Sequence, residues 1–441
     1  MQRILLISLT VALLVPGAAL AVPVYSFETL WSKIKHASYE ISESTNDLKA
    51  AEKAYQRSTR HFLPEVSLKA SAYSTNNPGL SFFSNLGQRS INALDFNPSN
   101  LNHPGFSEYG QATLLTTMPL YSGGLKVATK QALAHMRDAK KYGGSFTETL
   151  VYTNTAAEYA LLLSAQRHGG YLAALDTELK ALLNEYELGS KNNPVGHSGL
   201  LGLKSLSNRI RGMSLQAETR VKSLKVSLSE RADLGGSGWG IQSEPVGGFL
   251  RRKFGRPVRS DDTREETPAS VKSLTQAAGA LQKFSDAEKA KFLPHVGVFG
   301  EANAFTGARD TSGAATLGAY MQWNIFAPTE YGSVKEKKHQ AAALKDKAHA
   351  AKLNAQIDAE QSHQSILMAH ENINLMHDSL ALLKEQSLTA KGLYRNGAIN
   401  ILQMVELINR RADLLFQLYQ TEELLVAESA RNYLQGGKHD Q

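Results

Sequence analysis

Histidines recur along one segment of the sequence and are the first candidates for chemistry. His363, His370 and His377 are seven residues apart, and His349 lies two heptads before His363. Residues seven apart on a helix are separated by about 10 Å, whereas zinc binds its nitrogen ligands at about 2 Å. One helix cannot chelate a metal with this stripe. We interpret these histidines as solvated or, in an assembly, lumen-lining, and expect no metal and no cofactor.

Motifs for other chemistry are missing from the sequence. We find no His-Glu-x-x-His, no Gly-Lys-Ser/Thr phosphate loop and no Gly-x-Ser-x-Gly. The chain has no cysteine, so thiol catalysis and disulfides are excluded. We therefore predict that the protein is not an enzyme. A metal-dependent exported enzyme that uses the histidines stays open as a weak alternative.

The charge pattern gives no indication of nucleic-acid binding. The formal net charge is +7, from 48 basic and 41 acidic residues. The two signs are mixed along the predicted helices, and no basic-aromatic module is present. We expect no nucleic-acid partner.

Residues 1–21 have the pattern of a signal peptide. Arg3 supplies the positive start, the stretch from Ile4 to Val15 is apolar, and Ala19-Leu20-Ala21 resembles a cleavage site. The apolar run is shorter than the roughly 20 residues that a spanning helix needs. We predict an exported protein.

Four runs of alternating apolar and polar residues predict strands at 64–74, 110–121, 295–305 and 316–326. Period two gives each strand one apolar and one polar face. Each run has about the 9–11 residues that a tilted strand needs to cross a bilayer. A half-buried sheet in water is the alternative. Aromatic residues near the strand ends (Tyr121, Trp323 and Phe326) are candidates for the membrane interface.

Long helices are predicted at 123–186 and 331–395, because neither stretch contains proline. A helix of about 60 residues is about 90 Å long and needs partners along its whole length. A seam of apolar residues with 3,4 spacing is visible in the first of them: Leu172, Leu175, Leu179, Leu182 and Tyr186. Leu407, Leu414, Leu418 and Leu425 follow the same kind of seam near the other end of the chain.

The order of these features occurs twice. Phe62-Leu63-Pro64 returns as Phe292-Leu293-Pro294, and a strand pair and a helical hairpin follow each copy. We predict an internal duplication with a first repeat at 22–234, a linker at 235–268 and a second repeat at 269–441. The linker opens with a glycine-rich run, followed by a basic and then an acidic cluster, so we expect it to be solvated. Contact of the basic cluster with lipid head groups or a partner is the alternative.

Four membrane strands cannot stand as an open sheet, because every backbone polar group in a bilayer must be paired. Small closed barrels begin at about eight strands. Closure would therefore require two or three chains, and either number would pair every strand edge.

One turn carries a resemblance to a known family. Tyr394-Arg395-Asn396-Gly397-Ala398 is followed by Ile401-Leu402-Gln403-Met404-Val405-Glu406. This segment is similar to the Tyr-Arg-x-Gly-Thr segment at the periplasmic tip of the TolC-like outer-membrane efflux proteins, and the duplicated order of elements resembles the same family over nearly the whole chain after residue 21.

The resemblance implies an α+β membrane protein. It implies a homotrimer with a twelve-stranded outer-membrane β-barrel, four strands per chain, continued by a long α-helical coiled-coil tunnel in the periplasm. The protein would sit in outer-membrane lipid and be a passive exit duct for an inner-membrane transporter, joined through a periplasmic adaptor, in efflux or type I secretion. A periplasmic coiled-coil adaptor or scaffold with a soluble β-domain is the alternative.

The resemblance also assigns roles at the tip. Glu406, Gln403 and Tyr394 correspond to a gate or constriction, at which three Glu406 carboxylates would favour cations. Adaptor docking is expected at Arg395, Asn396, Gly397 and, in the first repeat, Gly189. The family often has a basic residue where this chain has Ile399, so the gate network differs from the family pattern.

Overall fold

A computed structural model of the chain describes residues 23–187 and 194–436. The predicted signal peptide at 1–21 and the predicted tip residue Gly189 lie outside the described residues. Where the chain is described, it is mostly helical. The helices are α1 (Phe27–Ala37), α2 (Tyr39–Thr59), α3 (Pro78–Gly87), α4 (Pro98–Asn102), α5 (Leu125–Glu187), α6 (Pro194–Arg231), α7 (Val246–Phe254), α8 (Ser260–Glu265), α9 (Ala269–Lys289), α10 (Ser333–Arg395) and α11 (Ile401–Leu434).

The strands form two sheets. They are β1 (Val24–Tyr25), β2 (Glu65–Thr75), β3 (Ser107–Ser122), β4 (Gly240–Ile241), β5 (His295–Gly307) and β6 (Thr311–Gln322). The two-residue strands β1 and β4 pair in parallel. The other four form one antiparallel sheet in the order β2-β3-β5-β6.

The two longest helices, α5 and α10, have 63 residues each. Neither contains a proline, so the ladder of backbone hydrogen bonds is not interrupted by a missing N–H. Their bounds lie close to those predicted from the sequence. Within the described residues, none of the helices combines the length and the apolarity required to cross a bilayer.

The last strand differs from its prediction. It begins at Thr311 rather than at 316 and ends at Gln322, so Trp323 and Phe326 lie beyond it. The polar stretch after Phe305 continues the ladder, because Thr306 pairs with Thr311 and their side-chain oxygens are 2.9 Å apart. Only three residues, 308–310, remain for the turn.

The four-stranded sheet has one apolar and one polar face, as the alternation predicts. One row across the sheet pairs Leu68 with Leu114, Leu114 with Ala302, and Ala302 with Ala315. The neighbouring row, on the other face, contains Lys69, Thr113 and Asn303, and Thr113 donates to Asn303 Oδ1 at 2.6 Å. Large apolar side chains are exposed on the first face, where Leu68 is 71% and Leu317 is 88% exposed.

The chain divides into two compact units that each combine segments from both predicted repeats. Among the described residues, the first contains 23–38, 152–187, 194–257 and 362–433. The second contains 39–151 and 258–361, which include the four-stranded sheet, together with 434–436.

The first unit has an aromatic core where α1, α5 and α7 meet. The ring of Phe27 lies 5.5, 5.7 and 5.4 Å from the rings of Tyr152, Tyr159 and Phe249 in edge-on contacts. Phe249 belongs to the stretch 235–268 and is fully buried, and Trp239 in the same stretch is 2% exposed. The expectation of a solvated linker is wrong for these residues, because its apolar side chains pack into the core that flanks it.

A second core in this unit follows the predicted leucine seam. Leu175, Leu179 and Leu182 of α5 are at most 2% exposed and pack with residues of α6 and α11. The cluster also contains Leu203, Leu206, Ile210, Ile401, Met404, Ile408, Ala412 and Leu415. Burial of such side chains stabilises the bundle by about 1.5–3 kcal/mol each. This core supports the turn between α10 and α11.

Candidate functional site at the turn between α10 and α11

The turn between α10 and α11 is fixed by backbone hydrogen bonds. The N–H of Ala398 donates to the carbonyl of Leu393 at 2.9 Å, and the N–H of Gly397 donates to that of Tyr394 at 3.0 Å. This pair of bonds is a Schellman motif. Its left-handed residue is Gly397, with φ of 75°, a conformation that glycine adopts without strain. The helix therefore ends at Arg395 for a local reason that the Asn-Gly pair already indicates.

The second helix of the turn starts with a reciprocal cap. The N–H of Gln403 donates to Oδ1 of Asn400 at 3.1 Å, and the N–H of Asn400 donates to Oε1 of Gln403 at 3.0 Å. This arrangement is a capping box, which satisfies two of the free N–H groups at a helix start. Gln403, predicted as a constriction residue, thus uses its amide oxygen to start α11.

Tyr394 packs against the end of α5. Its ring centroid is 6.4 Å from that of Tyr186, and both rings contact the apolar core of the bundle. Burial raises the pKa of each phenol, and at Tyr394 the neighbouring Tyr186 and Glu185 raise it further. Both phenols therefore stay neutral at physiological pH and can act as hydrogen-bond donors.

An ion pair connects the ends of the two long helices. Nη2 of Arg395 lies 2.7 Å from Oε1 of Glu185, and Nζ of Lys391 lies 3.8 Å from the same oxygen. The hydrogen bond from Arg395 lowers the pKa of Glu185, and the pKa of Arg395 is raised in turn. The resemblance assigns Arg395 to adaptor docking at the surface, and it is exposed, as are Asn396 and Gly397.

Glu185 is a site residue that the sequence reasoning misses. The sequence signal is present, since Glu185-Tyr186 in the predicted first repeat corresponds in order to Leu393-Tyr394 in the predicted second repeat. The missing step is to place the two helix ends side by side, which only the bundle packing establishes.

Glu406 is exposed and paired within its own helix. Its Oε1 accepts from Nε of Arg410 at 2.8 Å, one helical turn further along α11. Arg410 is not among the residues predicted from the sequence. The pair places a positive charge beside each Glu406, so a constriction at this position would have carboxylates that are partly neutralised.

Two further ionic contacts tie the bundle together behind the turn. Arg411 of α11 donates to Oε2 of Glu178 in α5 at 2.7 Å and to Oγ of Ser387 in α10 at 3.2 Å. Arg209 of α6 binds Asn409 and Asp413 of α11. All four helices of the bundle are therefore linked by polar contacts as well as by the apolar core.

The predicted interface aromatics lie at one end of the sheet. Tyr121 and Trp323 are about half exposed, at 49% and 52%, and Phe326 is exposed at 75%. Nε1 of Trp323 donates to the carbonyl of Phe292 at 3.1 Å. Phe326 lies 6.2 Å from the ring of Tyr331 in an edge-on contact.

The histidine stripe is not a uniform solvated face. His349 and His377 are exposed, His370 is half-buried and His363 is buried. The solvated interpretation is wrong for His363. No cluster of three or more histidine, aspartate or glutamate side chains suited to a metal occurs among the described residues.

No protein-family model matches the sequence, and no curated protein matches it. Solved structures do match. The chain is similar to CusC, in a study of transmembrane channel formation, with a TM-score of 0.77 and 14% identity over 93% of this chain and 92% of that chain. It is similar to the outer membrane protein VceC from Vibrio cholerae, with a TM-score of 0.70 and 15% identity over 93% and 96% of the two chains. It is also similar to the open state of the outer membrane channel MtrE from Neisseria gonorrhoeae, with a TM-score of 0.73 and 12% identity over 93% of this chain and 89% of that chain.

The fold of this chain is therefore that of the TolC-like outer-membrane channels, and the resemblance predicted from the sequence is confirmed at the level of fold. These neighbours are channel or outer-membrane proteins rather than enzymes. At such low identity the similarity defines the architecture alone. The roles of individual residues follow from their own geometry in this chain.

Proposed function

We propose that the protein is an outer-membrane exit duct, passive and trimeric, that carries substrates delivered by an inner-membrane transporter through a periplasmic adaptor. The observation that carries this proposal is the four-stranded sheet. The sheet exposes an apolar face on one side and polar residues on the other. The wall of a membrane barrel has the same two faces, one towards lipid and one towards the water-filled interior.

The edges of the sheet support assembly from several chains. In the sheet order, β2 and β6 each have only one neighbouring strand among the described residues. Unpaired backbone groups in a bilayer cost several kcal/mol each, so the two edges would have to pair with each other in different copies. The choice of three copies, with twelve strands in one barrel, follows from the resemblance to the channel family.

The aromatic residues at one end of the sheet suit the boundary of such a barrel. Indole and phenol rings favour the membrane–water interface, where the ring is partly apolar and its polar atom stays hydrated. Tyr121 and Trp323 are exposed near the strand ends, so we assign them to that interface. Phe326, which has no polar atom, is assigned there only because it is exposed at the same end.

The turn between α10 and α11 is the proposed site of gating and adaptor docking. Its exposed residues 395–397 would bind the adaptor. The contact between Arg395 and Glu185, together with the packing of Tyr394 on Tyr186, would hold the helix ends in the closed arrangement. We assign Glu406 and Gln403 to the constriction, with Arg410 as a modifier of its charge. The two repeats at 22–234 and 269–441 are part of the same proposal.

The alternative, a periplasmic scaffold with a β-domain in water, is disfavoured by the exposed apolar face. Burying a large apolar side chain is worth about 1.5–3 kcal/mol, and on this face Leu68, Leu317 and Met321 are at least 69% exposed. A domain in water with this surface would lose that stabilisation at several positions.

Cell fractionation, gel analysis and planar bilayers test the proposal together. The exit duct requires the native protein in the outer-membrane fraction after a high-salt wash, a heat-sensitive trimer in detergent, and ion conductance of the purified protein. Release of the protein by salt, with a monomer in detergent and no conductance, would establish the scaffold instead.

A further inference from the structure

Helix α3 has its polar side chains buried and its apolar side chains exposed. Ser81, Ser84 and Asn85 are between 3% and 8% exposed. Leu80, Phe83 and Leu86 are 46%, 67% and 50% exposed. This arrangement reverses the usual amphipathic helix, in which the apolar stripe faces the core. The outer face of α3 is therefore built to contact another apolar surface.

The buried side of α3 is held on the polar face of the sheet. The phenol oxygen of Tyr73 in β2 is 2.7 Å from Oγ of Ser84, and that of Tyr109 in β3 is 3.2 Å from Oγ of Ser81. Tyr73 and Tyr109 pair across the strands on the same face as Lys69 and Thr113. Helix α3 thus covers the polar side, and the opposite, apolar side stays uncovered by it.

The segment around α3 is anchored beyond this helix as well. Arg309, in the turn between β5 and β6, lies 2.7 Å from Asp95. The side chain of Gln88 accepts from the N–H of Asp310 at 3.0 Å, and Ser312 donates to the carbonyl of Gly87. The connection between β2 and β3 is therefore folded down onto one end of the sheet.

The position of α3 on the polar face of the sheet limits which surfaces its exposed apolar side can contact. In the proposed barrel the apolar face contacts lipid, so the polar face and α3 lie on the inside. An apolar surface inside a water-filled barrel is stabilised only by another apolar surface. The symmetry-related copies of α3 supply one, because all copies carry the same helix at the same height.

We propose that the segment 78–104 is a second constriction, at the end of the barrel where β2 is connected to β3, closed by contact between the exposed apolar faces of α3 in the copies of this chain. This inference rests on the proposed exit duct. Its aperture would be apolar, with Phe83 the most exposed of the three apolar side chains, and hydrophobic constrictions block ions by expelling water.

Cross-linking tests the contact between copies. The chain has no cysteine, so Phe83→Cys introduces a single thiol into each protomer of the trimer. A short bismaleimide is expected to link most Phe83→Cys protomers in pairs. Leu317→Cys, on the apolar face at a position that is 88% exposed, is the matched control and is expected to give almost no product. Equal yields from the two variants would contradict the proposal.

Conductance tests the constriction. Replacing Leu80, Phe83 and Leu86 together by serine keeps the buried anchors and removes the apolar contact. In an Arg395→Ala background, in which the proposed gate at the turn between α10 and α11 is weakened, the triple variant is expected to raise single-channel conductance about twofold or more. Unchanged conductance would overturn the inference.

The two proposals fail in different ways. If the unmodified protein forms no trimer and no channel, the exit duct itself is wrong. If it conducts as a trimer but the Phe83→Cys variant is not cross-linked, and a fluorophore on the introduced thiol is quenched by brominated lipid, then α3 contacts lipid and only the second constriction is wrong.

Discussion

Arg395, the last residue of α10, donates from Nη2 to Oε1 of Glu185 in α5 at 2.7 Å. Each of the two helices ends within two residues of this contact. The contact therefore joins the two helix ends that a gate at this position would have to separate.

Loss of this contact is expected to favour the open state of the proposed channel. Arg395→Ala removes the ion pair without removing apolar packing, and single-channel recordings should report longer or larger openings. The effect should be moderate, because exposed ion pairs are weak. Lys180→Ala is the matched control, since Lys180 pairs with Asp176 inside one helix. Equal recordings for the two variants would remove Arg395 from the gate.

Acid should have the same effect as the Arg395 substitution. The pKa of Glu185 is lowered from 4.5 in the folded protein, so the ion pair is fully present above about that pH and is lost as the pH falls through the lower, folded value. Opening should therefore increase in the native channel at acid pH. Glu185→Gln should remove this part of the pH dependence, and a profile identical to that of the native protein would contradict the assignment.

Glu406 and Arg410 should have opposite effects on divalent-cation block. Glu406→Gln removes the carboxylates of the proposed constriction and should weaken the block. Arg410→Ala leaves those carboxylates without their positive partners and should strengthen it. Conductance titrated with a divalent cation measures both. A shift in the same direction for both variants would mean that Glu406 is not at the constriction.

The turn itself can be tested by two glycines five residues apart. Gly397 has φ of 75° and Gly392 lies inside α10. Neither would place a new Cβ within 4 Å of another atom, so only backbone preference differs. Gly397→Ala should destabilise the fold by about 1–2 kcal/mol, while Gly392→Ala should stabilise it by up to about 1 kcal/mol. Denaturant unfolding of the two variants should move the midpoint in opposite directions.

His168 should make stability depend on pH. It is 6% exposed and stacks on Tyr419 with ring centroids 4.7 Å apart. Burial lowers its pKa from 6.5, against a smaller opposing effect of Glu423. The unfolded chain therefore binds the proton more readily, and stability falls as the pH drops below about 6.5. The His168→Phe variant should not show this loss of stability at acid pH. Thermal unfolding between about pH 5 and 8 measures the difference.

The long helices and the faces of the strands could be predicted from the sequence because their signals are local and repeated. Proline-free stretches fold into α5 and α10, and in α5 the leucines at 3,4 spacing, Leu175, Leu179 and Leu182, are buried as the seam requires. Alternation along a strand assigns each side chain to a face without knowledge of the partner strand.

Contacts between distant segments could not be predicted in this way. Arg410 neutralises part of the charge of Glu406 through a rotamer that the spacing permits but does not dictate. The burial of Phe249 depends on a core that it shares with Phe27 of α1 and Tyr159 of α5, which lie far from it in the sequence. A glycine-rich, charged stretch gives no local signal for such packing.

Local sequence preferences account for the repeated order of strands and helices, the alternating faces, and the Schellman turn at Gly397, because each depends on the backbone preferences of neighbouring residues. Tertiary packing is needed to bring Glu185 to Arg395 and to lay α3 on the polar face with its apolar side outward. These relationships are set by the packing of elements far apart in the chain, where many arrangements satisfy the same local pattern.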